Sequence, residues 1–152
     1  MANKIQPEFP PLLVIPGANV LTLDTLHRIC VQQQETDRRK QLWDGFAALY
    51  TRFLDAGLAG LELWVNGAFM TLAPTPRHVD CVLWVPQSHI DQCTDSQYQE
   101  LRQLQDGAAV KNKYGVELWV QPPEAPNNDF WTSHFSTTWD GITLKGFARL
   151  AL

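Results

Sequence analysis

The sequence predicts an α/β or α+β fold, with one mixed sheet and helices packed against it. Three observations carry that prediction. A long amphipathic stretch over 37–56 has helical period, with Leu42, Phe46, Leu49 and Phe53 at i, i+4, i+7 and i+11. The triplet Leu-Trp-Val recurs at 63–65, 83–85 and 118–120, and Trp and Val suit a half-buried pleated surface. Finally, helix-like and strand-like segments alternate along a chain of 152 residues, a length that can bury a real core as one domain spanning 1–152.

In chain order, residues 1–20 carry Pro7, Pro10, Pro11 and Pro16, which remove backbone donors, so an irregular N-terminal arm is expected there. Within it, Leu12 to Ile15 lies against the core. Thr22 is an N-cap for a short helix through about Val31, with Asp24 in its first turn. Asp37 opens the long helix, Trp43, Ala47, Tyr50 and Leu54 widen its apolar stripe, and Gly57 suits a left-handed stop. The run Arg38-Arg39-Lys40 sits beside Glu35 and Asp37 and reads as a solvated helix face.

Leu61 to Val65 reads as a buried strand broken by Asn66-Gly67. A second strand covers Val79 to Val85 and a third Val116 to Val120. Between the last two, Tyr98, Leu101 and Leu104 mark a helix over 94–106 that Gly107 ends. Pro122, Pro123 and Pro126 then predict a loop continued by Asn127-Asn128, after which Phe130, Trp131 and Phe135 close a core edge. The tail from Gly141 to Leu152 is compatible with a strand or an irregular cover.

Net charge is −4 and the pI about 5.5, which argues against general attraction to nucleic acid. Three cysteines without a paired framework, and no apolar leader, lead us to expect a cytoplasmic protein. No run of eighteen apolar residues exists, so no membrane partner is expected. Cys81, His89 and Cys93 match no zinc spacing.

The chemistry concentrates elsewhere. Asp80 and Glu117 each sit near the start of an apolar strand, where an unpartnered carboxylate is costly to bury. Side chains two apart on a strand share a face, so His78 joins Asp80, and Glu117 on a neighbouring strand can meet them. Gly67 permits close backbone approach, and the Gly67 and Ala68 amides form a small nest for an anion. A phosphate held beside a metal fits that arrangement. The bland alternative is a polar pair of His78 and Glu117 at a sheet edge, with Asp80 as a strand-end hydrogen-bonding residue.

Gly67-Ala68-Phe69 followed by His78-Val79-Asp80 resembles the Gly-Ser turn and Asp-x-Asp strand of the DNA polymerase β-like nucleotidyltransferase superfamily, with Glu117 in the place of its third carboxylate. More narrowly, the chain resembles a small bacterial nucleotidyltransferase-like family closing with a segment like Lys145-Gly146-Phe147-Ala148-Arg149-Leu150. The likeness spans roughly Thr22 to Leu150 and implies a nucleotidyltransferase-like domain. It also implies Asp80, Glu117 and His78 as catalytic residues, Asp80 and Glu117 as ligands of Mg²⁺, and Gly67 and Ala68 against a nucleotide. Ala68 stands where the family has serine and His78 where it has aspartate. Those departures imply a catalytically impaired or repurposed member, with a cognate protein partner in a toxin–antitoxin or phage-defence module. The alternative is an active enzyme moving a nucleoside monophosphate to a protein or RNA hydroxyl.

Overall fold

A computed structural model describes residues 9–138 and 143–152. Its centre is a five-stranded mixed sheet in the order β1-β5-β2-β3-β4, built from Gly17–Val20 (β1), Glu62–Asn66 (β2), Val79–Trp84 (β3), Val116–Gln121 (β4) and Gly146–Ala151 (β5). β1 and β5 run parallel, β2 is antiparallel to both β5 and β3, and β3 and β4 are parallel.

Strand alternation divides the core between the two faces. Leu63, Val65, Val79, Cys81, Leu83, Val116 and Leu118 point to the larger cluster. There they meet Leu26 of α1 (Leu23–His27), Leu42 and Phe46 of α2 (Asp37–Asp55), Leu104 of α4 (Asp95–Leu104) and Val110 of α5 (Gly107–Tyr114). Trp64, Val82, Trp84 and Phe147 point the other way, onto Trp131 and Phe135 of α6 (Ala125–Phe135). Trp119 packs against that second cluster. The three recurring tryptophans therefore share one face.

Several expectations are corrected. The arm is not irregular throughout. Pro11 bridges Thr71, the Leu12 amide donates to Met70 O at 2.9 Å, and 17–20 is a sheet strand. Leu12 and Leu13 pack on the core, while Val14 and Ile15 are exposed. Thr22 does cap α1, but the segment continues as a π-helical turn over Arg28–Gln32. Thr36, rather than Asp37, caps α2 by accepting from the Arg39 amide.

Gly107 starts a helix instead of ending one, because Asp106 accepts from the Ala109 amide as its N-cap. A further short helix, α3, spans Gln87–Gln92. Pro126 lies in the first turn of α6, where its missing N–H costs nothing, so the expected loop is a helix. Pro7, Trp139 and Ile142 lie outside the described residues. Within the tail, Gly146–Ala151 forms β5.

The charged run at the start of α2 is only in part a solvated face. Lys40 pairs with Glu35 in solvent, but Arg39 is fully buried and donates only to backbone carbonyls.

α2 and α5 touch at Gly45. A Cβ there would lie 2.1 Å from Tyr114 O and 2.9 Å from Tyr114 C, both backbone atoms that cannot swing aside. Gly45→Ala is therefore expected to push the helices apart and cost about 2–3 kcal/mol in urea unfolding, as overpacked cores do. A midpoint equal to the parent's would show that the helices slide freely.

Candidate functional site

Asp80 and Glu117 are direct neighbours in the parallel β3–β4 register, and Asn66 opposes Asp80 on β2. The row Asn66–Asp80–Glu117 shares the parity of Trp64, Val82 and Trp119, so it opens on the face covered by α6, at the end of the strands. Sequence spacing had put the two carboxylates on separate strand starts; the register makes them adjacent.

His78 lies just before β3 and closes the group. Its Nε2 is 3.0 Å from Asp80 Oδ1 and 2.8 Å from Glu117 Oε2. One ring N–H cannot point at two acceptors. Asp80 Oδ1 is cut off from solvent and has no well-formed hydrogen bond, although His78 Nε2 lies 3.0 Å away. The imidazole's affinity for its proton is raised. The polar contact with Asp80 is the largest cause; burial opposes it, and the charges of Asp80 and Glu117 add to it. Lys111 Nζ reaches to 4.0 Å from Glu117 Oε1 and works in the opposite sense on His78.

Gly67 ends β2 with φ +90° and caps a single 3₁₀ turn over Ala68–Met70. Its missing side chain matters, because a Cβ would lie 2.7 Å from Asp80 Oδ2 and 2.9 Å from Asp80 Cγ. The turn thus lies directly against the carboxylate, with Ala68 exposed beside it. All five residues singled out from the sequence stand at one end of the sheet.

The loop between this turn and His78 is held from behind by α2. Thr36 Oγ1 donates to Pro74 O, Arg38 Nε donates to Pro76 O, and Arg39 donates to the carbonyls of Phe69, Thr71 and Ala73. Spacing gave no signal for this clamp. Asn66 is a second residue that pattern reading passes over. It is buried, accepts from Lys145 Nζ at 3.0 Å and donates to Phe135 O at 3.4 Å. Only the register makes it a neighbour of Asp80.

One imidazole nitrogen and two carboxylate oxygens, all within 4.8 Å of one another, form the metal-competent group found among the described residues. The 2.8 and 3.0 Å separations match the edge of an octahedral shell, about 3.0 Å for bonds near about 2.1 Å. The solvent-excluded Asp80 Oδ1 supplies an acceptor still lacking a directed partner. The mixed nitrogen and oxygen donors fit a cation such as Mn²⁺ or Zn²⁺ better than Mg²⁺, which favours oxygen alone. Cys81, by contrast, is fully buried with its thiol pKa pushed well up, and it belongs to the core.

The chain belongs to the family of unknown function DUF6932, which matches residues 7–151. No curated protein and no solved structure matches it. Among the described residues, no helix is long and apolar enough to cross a membrane.

Proposed function

We propose that this chain is a nucleotidyltransferase-like protein, catalytically impaired or repurposed, whose site takes a divalent cation only when His78 gives up its proton. The observation that carries this reading is the position of His78 Nε2, 2.8–3.0 Å from both carboxylates. In the protonated ring, that N–H occupies the place where a cation would sit between Asp80 and Glu117. The proton and the metal compete for one space.

Asp80, Glu117 and neutral His78 would hold the cation. When bound, it would neutralise nucleotide phosphates and acidify an attacking hydroxyl. The Gly67 turn supports the reading by bringing backbone against Asp80 without a side chain in the way. Exposed Ala68 offers no hydroxyl to a phosphate, and the cluster has two carboxylates rather than three, so transfer chemistry should be weak.

Calorimetric titration with Mn²⁺ and Mg²⁺ from pH 5.5 to 8 tests the competition. Each bound cation displaces a proton while His78 is charged, so affinity should rise up to about tenfold per pH unit and level off above the raised His78 pKa. Mn²⁺ should bind more tightly than Mg²⁺ at every pH. A flat profile removes the competition between proton and cation, and no heat with either cation removes the metal. Adding ATP, GTP, CTP and UTP with the cation, and following label from α-labelled nucleotide, separates the impaired protein from the active enzyme. Label on protein or RNA would favour the latter. A role in a toxin–antitoxin or phage-defence module rests on the resemblance alone, and pull-down with the neighbouring gene's product tests it.

A further inference from the structure

Beside the carboxylate cluster lies a cleft of about 510 Å³, between the first half of α2, the residues before β3 and the end of α5. Its charged walls are Arg38, Arg77, Lys111 and Lys113, and no described Asp or Glu lines it. These are four of the 12 Lys and Arg residues of a chain that carries 16 Asp and Glu. An acidic protein has therefore gathered a third of its cations into one concavity. His78 lines the same cleft and joins it to the carboxylate cluster.

The cations are not spent on carboxylates within the cleft. Arg38 donates to Pro76 O at 3.0 Å, to Arg77 O and to Gln41 Oε1 at 2.9 Å, all neutral acceptors that fix its guanidinium and leave its charge uncompensated. Lys113 Nζ sits 5.3 Å from the centre of the Tyr114 ring, and the Arg77 side chain is exposed. Among the described residues, Lys111 alone of the four approaches an acid, Glu117, at 4.0 Å. The end of α5 presents carbonyl dipoles worth about half a negative charge, which four cations outweigh. The volume falls in the range of about 300–1,000 Å³ used for small ligands, too small for a duplex.

We propose that this cleft binds a phosphate-bearing small molecule of mononucleotide size, its phosphates seated on Arg38, Arg77, Lys111 and Lys113. The site is distinct from the Gly67 turn, and its binding does not use Asp80 or Glu117. It therefore stands or falls apart from the metal reading.

The test is calorimetry of the whole chain in EDTA, with inorganic pyrophosphate, AMP and ADP as probes. Wild type should bind pyrophosphate and ADP more tightly than AMP, and more weakly at 200 mM than at 50 mM salt, as phosphate contacts dictate. Arg77→Glu with Lys113→Glu, both on exposed side chains, should lose at least tenfold in affinity with an unchanged melting temperature. Asp80→Asn with Glu117→Gln should still bind. No heat with any probe overturns the proposal, as does a charge-reversed protein that binds like wild type (an adventitious anion only). A short single-stranded RNA binding more than tenfold tighter than ADP would overturn the small-molecule assignment. A failed metal titration with cleft binding intact would remove the metal reading alone.

Discussion

Arg39→Met should destabilise the protein by about 3–5 kcal/mol in urea unfolding, the large loss expected when several buried carbonyls lose their donor together. Arg39 is fully buried and, among the described residues, has no carboxylate partner. Burial lowers its pKa, yet an arginine remains charged. Its charge is dispersed over carbonyls: Nε donates to Ala73 O at 3.2 Å, Nη1 to Cys30 O at 3.0 Å and Phe69 O at 2.7 Å, and Nη2 to Ala73 O at 2.7 Å and to Thr71 O. Methionine fills much of the stem's volume and removes every donor. Four carbonyls would then lie in the core unsatisfied, each costing on the order of 1–3 kcal/mol if water cannot reach it.

Three of those carbonyls belong to the segment that leads from the Gly67 turn toward His78. Amide exchange over 69–77 should accelerate before the strands open. Arg39→Lys should recover only part of the loss, because an ammonium lacks the planar fork that reaches several carbonyls at once. An Arg39→Met midpoint within about 0.5 kcal/mol of wild type would mean the guanidinium clamps nothing, since that is the range of ordinary surface changes.

The same residue explains why part of this fold was not legible. Arg38-Arg39-Lys40 beside two acids has the appearance of a solvent face, and nothing in spacing reveals carbonyls arriving from a loop some thirty residues later. Elements with strong internal signals were readable. β2, β3 and β4 were found because apolar runs bounded by turns need no partner to be recognised. α2 was found because its stripe, Leu42, Phe46, Leu49 and Phe53, is wholly buried.

β1 and β5 went unresolved for the opposite reason. β1 has only four residues, and the two strands form a parallel pair that brings together residues 17–20 and 146–149, a pairing set by tertiary contact. Pro126 and Gly107 misled because the same residues break helices in their interiors and begin them at their first turns. At the site, the two carboxylates were legible as costly residues on apolar strands. Their adjacency was fixed by the parallel register, and the basic cleft by helices that meet the loop only after folding.

His78→Asp should move the site from proton to metal, raising Mg²⁺ and Mn²⁺ affinity at pH 7 at least tenfold. In the wild type, the folded-state pKa of His78 is raised, so its stabilising contribution is complete below the unfolded value of about 6.5 and is lost as pH climbs through the folded value. With a third carboxylate in place of the imidazole, that contribution disappears and three like charges confront one another. Stability without metal should then fall at pH 7 and recover on acidification, the same direction as the wild-type His78 contribution but through the lower, carboxylate range of pH rather than the imidazole's. Added cation should restore it, by about 2.7 kcal/mol at a hundredfold excess over Kd. Including Ala68→Ser supplies a hydroxyl beside the turn and should change nucleotide affinity while leaving the metal affinity of His78→Asp alone. Label transfer by the double variant, with none by wild type, would identify the two substitutions as the cause of impairment. An unchanged cation titration in His78→Asp would mean that the proton on His78 never competed for the space between Asp80 and Glu117.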